Sequence, residues 1–159
     1  MTNRRAFVAA VAISPLALGL RRAAASPDLD RDESAYIGEL LVYESITSNA
    51  NSRLAELIDG INAGWADLTW QNDVIGVGAV YNAVDAVARK IGPPDSLQPV
   101  HNAVLVFLSD NARFGTAIRV AVEQGSSQAM LDASAILQTA TSHRKAAYAL
   151  LNEWLAARS

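Results

Sequence analysis

Leu97, Val100, Val104, Phe107, Asn111, Phe114, Ile118 and Ala121 recur at alternating steps of three and four. An α-helix puts residues so spaced on one face, and an apolar face on a helix has to be buried. The same rhythm appears three more times. Tyr36, Leu40, Tyr43, Thr47, Ala50, Leu54, Leu57 and Ile61 make a first stripe, widened by Ile37, Leu41 and Ile58. Trp70, Val74, Val77, Tyr81, Val84, Ala88 and Ile91 make a second. Met130, Ala133, Leu137, Ala140, Arg144, Ala147, Leu151 and Trp154 make the last. Helices of about 25–30 residues joined by short turns are what an antiparallel four-helix bundle requires. The spacing therefore predicts an all-α, up-down-up-down bundle over 34–159, preceded by an acidic tail over 26–33.

The breaks between stripes fit the same scheme. Gly60 and Gly64 loosen the end of the first helix, and Trp65 to Asn72 carries the turn. Gly92-Pro93-Pro94 ends the second helix, because proline lacks the backbone donor and disfavours helix in the residue before it. Asp95 or Ser96 can cap the third, with Pro99 tolerable in its first turn. Gly125 ends that helix, and Ser126 or Ser127 can cap the fourth. Two stretches are ambiguous. Ser45 to Ser52 is rich in Ser, Thr and Asn, which compete for the helical backbone, so a kink or break fits there. Val74 to Val84 is rich in valine and holds Gly76 and Gly78, so a strand is the alternative.

Ahead of the bundle lies a different kind of sequence. Arg4 and Arg5 precede an uncharged stretch from Ala6 to Leu20, and Ala23-Ala24-Ala25 offers a cleavage site. That is the layout of a secretory signal peptide over residues 1–25, cleaved after Ala25. The apolar stretch is shorter than the ~20 residues a permanent membrane anchor needs. Arg4-Arg5-Ala6-Phe7-Val8 resembles the twin-arginine export motif in its paired arginines and Phe7. It departs from that motif at Asn3, Val8 and Ala9, and an ordinary export signal beginning with two arginines remains the alternative. The expected location is periplasmic or secreted.

Removing residues 1–25 takes four arginines and no acid, leaving 9 basic residues against 16 acidic ones and a formal net charge of −7. Such a surface repels phosphate backbones and anionic lipid, which disfavours nucleic-acid and membrane-surface partners. The chain has no cysteine. Disulfides, Cys-ligated zinc, iron–sulfur clusters and covalent c-type haem are thereby excluded.

Few chemistries survive the remaining residues. His101 follows Gln98 by three residues and His143 follows Ala140, so the paired Glu-x-x-His of a di-metal bundle is missing. Gly76-Val77-Gly78 lacks a third glycine and reads as close helix packing. Mirroring the chain at its turns, near residues 66, 93 and 125, sets residue 50 opposite about 82, 104 and 146. The same ruler sets His101 beside Asp85 and Thr47. It separates Met130 from His101 by ~28 Å and His143 from His101 by ~9 Å, a poor arrangement for haem. Neither a cofactor nor a metal is expected.

His101, Asp85, Thr47 and Asn111 are thus the candidates for a polar pocket. A His–Asp pair there could move a proton or hold a ligand. The plainer reading is a pair satisfying its hydrogen bonds at a helix interface, with Asn111 fixing register and Arg144 snorkelling out at the stripe edge. Trp65 and Trp70 should cluster at one end of the bundle, and Trp154 with Tyr36 near the other. Such aromatics plug splayed bundle ends, floor an apolar pocket, or mark a partner surface.

Pro93-Pro94, followed by Pro99 and His101 at a helix start, resembles a pattern in uncharacterised small exported bacterial four-helix-bundle proteins. The likeness covers the start of the third helix, the signal peptide and the four-helix layout. It implies an extracytoplasmic bundle and transfers no activity or site residue. The expected protein is a non-enzymatic interaction or accessory module, with another envelope protein as the candidate partner. The alternative is a carrier for a small apolar ligand or non-covalent cofactor, which requires a cavity at the level of Thr47, Tyr81, Val104 and Ala147.

Overall fold

The computed structural model describes residues 29–59 and 65–158. The expected signal peptide, the cleavage site, Gly60, Ile61 and Gly64 lie outside the described residues. Four α-helices follow one another: α1 (Arg31–Asp59), α2 (Leu68–Ala88), α3 (Gln98–Glu123) and α4 (Ser127–Ala156). A single 3-10 turn, Asp95–Leu97, leads into α3. The fold is an all-α four-helix bundle.

Each helix end has a chemical reason. The Asp30 carboxylate accepts from the Glu33 amide at 2.8 Å, so α1 starts inside the stretch expected to be a tail. Asp67 caps α2 by accepting from Thr69 and Trp70, and Ser126 caps α4 by accepting from Ala129. Gly125 has φ +60°, and the Ser126 amide reaches back to the Ala121 carbonyl at 3.0 Å. This is the left-handed stop that glycine adopts without strain. Neither Asp95 nor Ser96 caps α3: the residue before it is Leu97, with no side-chain cap. Ser96 is drawn instead toward α1, donating to Glu33 at 2.7 Å.

The two ambiguous stretches are both helical. α1 runs unbroken through Ser45–Ser52. Thr47 turns its hydroxyl back onto the Tyr43 and Glu44 carbonyls, at 2.8 and 3.1 Å, and so satisfies itself within the helix. Val74–Val84 lies inside α2, whose buried face carries the expected Val74, Val77, Tyr81 and Val84. Gly78 is where α2 and α3 cross: a Cβ on it would stand 2.6 Å from the Gly115 carbonyl oxygen. Gly76 has open space around it.

That crossing corrects the level ruler. Mirroring at residue 93 sets Gly78 opposite residue 108, whereas it meets Gly115. The offset of about seven residues amounts to about 10 Å along the axis. The cause is the connection, because the extended Gly92-Pro93-Pro94 carries the chain past the end of α2 before α3 begins.

The core divides into two apolar clusters. One holds Leu54, Leu57, Trp70, Tyr81, Phe114, Ile118 and Leu137. The other holds Ile37, Leu40, Phe107, Leu108, Tyr148 and Leu151. Between them along the helices fall the buried polar residues Glu44, Thr47, Asp110 and Asn111. Trp65 and Trp70 meet edge-to-face at 5.4 Å at one end, and Trp154 packs against the cluster that contains Tyr36 at the other. No described helix is long and apolar enough to cross a membrane.

Candidate functional site

His101 lies in the first turn of α3, where Leu97 and Val100 anchor the helix start in the core. It is buried. Its Nδ1 is 2.9 Å from the Tyr36 hydroxyl, and the two rings meet edge-on at 5.8 Å. Burial pushes the His101 pKa down. Burial also pushes the Tyr36 phenol well above its usual range, aided by the Tyr43 and Glu39 charges. The pair is therefore a neutral ring and a protonated phenol, with one hydrogen shared between α1 and α3.

Tyr36 also lines a surface cleft of about 400 Å³ between the start of α1 and the corner after α2. Asp30, Asp32, Ala35 and Glu39 form one wall, and Ile91, Gly92, Pro93 and Pro94 form the other. The cleft thus combines three carboxylates with proline, isoleucine and tyrosine surface, and among the described residues no basic side chain lines it. The proline pair cannot donate backbone hydrogen bonds, so its wall is a rigid apolar edge. Below the cleft, Glu33 accepts from Ser96 at 2.7 Å and from Arg158 at 3.1 Å. Arg158 also lies over the Trp154 ring, 3.8 Å from its centroid.

The other expected members stand elsewhere. Asp85 pairs with Arg89 one turn on along α2, at 2.9 Å, and not with His101. Its second oxygen, Oδ1, is buried without a hydrogen-bond partner among the described residues. Thr47 is eleven positions beyond Tyr36 on α1, about 16 Å along the axis, and among the described residues its hydroxyl bonds only its own helix. Asn111 is buried on α3, ten positions from His101, about 15 Å at helical rise. No hydrogen bond among the described residues joins any of the three to His101. The displaced level of α3 separates Asp85 and Thr47 from it.

Two polar centres escaped the sequence reading. Glu44 is only 3% exposed and accepts from Arg144 Nε at 3.1 Å and from the Tyr148 hydroxyl at 2.7 Å. A second guanidinium nitrogen of Arg144 also contacts the Glu44 carboxylate. Arg144 does not snorkel: its side chain is largely buried because α1 supplies a carboxylate opposite it. Burial pushes the Arg144 pKa down, and Tyr148 opposes that in part. The legible signal was an arginine inside the fourth stripe and a glutamate beside Tyr43 in the first.

The second centre joins His143 of α4 to Asp110 of α3, Nδ1 to Oδ2 at 2.6 Å. Arg113 holds the other Asp110 oxygen at 3.2 Å. His143 is half-exposed while Asp110 is buried. Among the described residues no group of three His, Asp or Glu side chains is placed to share a metal ion.

No protein-family model, curated protein or solved structure matches the chain.

Proposed function

We propose that this chain is a non-enzymatic interaction module that works outside the cytoplasmic membrane, and that the cleft beside Tyr36 is its recognition surface. The observation that carries this reading is the cleft's composition: carboxylates on one wall, a rigid proline edge on the other, and an aromatic floor fixed from behind by His101. That surface fits a basic side chain with an apolar stem, presented by another protein. The export half of the proposal rests on Arg4-Arg5, the Ala6–Leu20 stretch and Ala23-Ala24-Ala25.

The buried polar groups favour the same reading. His101, Glu44 and Asp110 each hydrogen-bond a side chain on another helix of the bundle, so they serve packing. Tyr81 packs in one apolar cluster and Val104 and Ala147 in the other, so the four positions that a carrier cavity would need at one level are not gathered there, which favours an interaction module.

The test is charge reversal on the exposed wall. Asp32→Lys with Glu39→Lys should abolish co-purification of the partner from the exported fraction while leaving helical circular dichroism unchanged. A partner retained at wild-type yield by the doubly reversed, folded protein overturns the assignment of the cleft.

A further inference from the structure

α1 is attached differently from the other three helices. α3 packs closely along both α2 and α4, whereas α1 approaches closely only α2, and less extensively. Small residues let the α2, α3 and α4 backbones converge: Gly78 meets Gly115, and Ala121, Ala133, Ala140 and Ala147 are buried between helices. The α1 joint carries larger side chains: Tyr36 and Tyr43 on α1 itself, and Tyr81 and Tyr148, which reach Asn51 and Glu44 of α1 from the body, all four buried. Bulk at the contact widens the separation of helix axes.

The polar contacts show the opposite bias. Long-range side-chain bonds reach α1 at every level. Glu33 takes Ser96 and Arg158, and Tyr36 takes His101. Glu44 takes Arg144 and Tyr148, Asn51 takes Tyr81, and Arg53 takes Asp73. Trp70 donates to the Leu57 carbonyl. Between α3 and α4, the corresponding bond is His143 to Asp110.

We propose that α1 is a clasp that opens as a unit from a persisting α2–α3–α4 body, with Glu44 and Glu33 as its fasteners. α1 also buries Ile37, Leu40, Leu54 and Leu57, but without the close backbone approach that ties α2, α3 and α4 together, and a helix so set off, whose remaining ties are individual polar pairs, is released below global unfolding. The two walls of the acidic cleft lie on either side of this joint: Asp32, Tyr36 and Glu39 come from α1, and Ile91, Pro93 and Pro94 from the body. Opening α1 takes the cleft apart. On the interaction reading above, an occupant that touches both walls holds α1 shut, and by linkage closing α1 favours the occupant.

Native-state hydrogen exchange on the full chain, followed across low urea, tests the clasp without reference to any partner. The protected amides of α1 are expected to share one opening whose exchange is at least tenfold faster than that of Phe114, Ile118 and Leu137. Glu44→Gln removes contacts that are lost in both openings, so it should accelerate the α1 amides tenfold or more and Phe114, Ile118 and Leu137 by a similar factor, leaving α1 the faster of the two. Glu33→Gln, at the bundle end, should act in the same direction more weakly and serves if Glu44→Gln does not fold. α1 amides merging with Phe114, Ile118 and Leu137 into one global opening would overturn the proposal. So would a folded glutamine variant in which the α1 amides exchange within a factor of two of the wild-type rate.

Discussion

Glu44 and Arg144 stand 100 positions apart in the chain and meet between α1 and α4, Nε donating to Oε2 across 3.1 Å. Tyr148, one turn further along α4, donates to the same oxygen at 2.7 Å. The contact ties the first helix to the last at mid-height, between the two apolar clusters. A buried ion pair of this kind specifies which helix lies beside which more surely than it adds stability, since the desolvation of both charges offsets their attraction.

Removing one partner should therefore cost far more than removing both. Arg144→Met leaves the Glu44 carboxylate buried beside Tyr148 alone, and a loss of about 3–5 kcal/mol is expected. Glu44→Leu with Arg144→Met should recover most of it. Urea denaturation of the two single variants and the double variant measures the three values. A double variant as unstable as the sum of the singles would show that the pair is not coupled.

Glycine to alanine should have opposite signs at two positions in α2. Gly76 has open space, so Gly76→Ala should stabilise by about 0.5–1 kcal/mol through helix propensity. At Gly78 the added Cβ meets the Gly115 backbone at 2.6 Å. Overpacking of that kind should cost about 1–3 kcal/mol. Thermal melts of both variants give the comparison, and equal shifts would contradict the close crossing.

The bundle architecture was readable in advance because periodicity and punctuation report directly on it. Leu97 to Ala121 repeats without interruption, and Gly125 with Ser126 forms the turn that its sequence describes. Gly78 was readable as a packing glycine, though its partner Gly115 was not. The site was less legible. His101 could be singled out, but its partner depended on the length gained through an extended Gly92-Pro93-Pro94, which no stripe records. Glu44 and Asp110 were missed for another reason: a charge beside an apolar stripe reads as solvated unless its partner on a distant helix is known.

Tyrosine titration should be delayed until the bundle opens. Burial raises the pKa of Tyr36, Tyr43, Tyr81 and Tyr148 above their ordinary 10.0, that of Tyr148 up to about 12. The folded state thus holds protons that the unfolded chain releases near pH 10. The stability these groups contribute is complete below pH 10 and is lost as pH rises toward their folded values. Absorbance near 295 nm should stay low through pH 10 and rise together with loss of helical circular dichroism. A separate phenolate step at pH 10 in the folded protein would contradict the burial of all four rings.

His101 gives the acid side. Its folded pKa lies below the ordinary 6.5, so between the two values the unfolded chain binds more protons and stability rises with pH. Its contribution is complete above pH 6.5 and is lost as pH falls through the folded value. His101→Gln should remove this component of the pH–stability curve while retaining a hydrogen-bonding side chain beside Tyr36. Persistence of the full slope in the variant would assign it to other groups.

Native mass spectrometry of the chain recovered from its own exported fraction, set beside its denatured mass, tests most directly whether this is an interaction module. The expected result is a chain beginning at Ser26 bound to a protein partner, the complex disappearing in Asp32→Lys with Glu39→Lys. A reproducible small mass that is lost on denaturation and carried equally by that variant would contradict it, and would make the bundle a carrier.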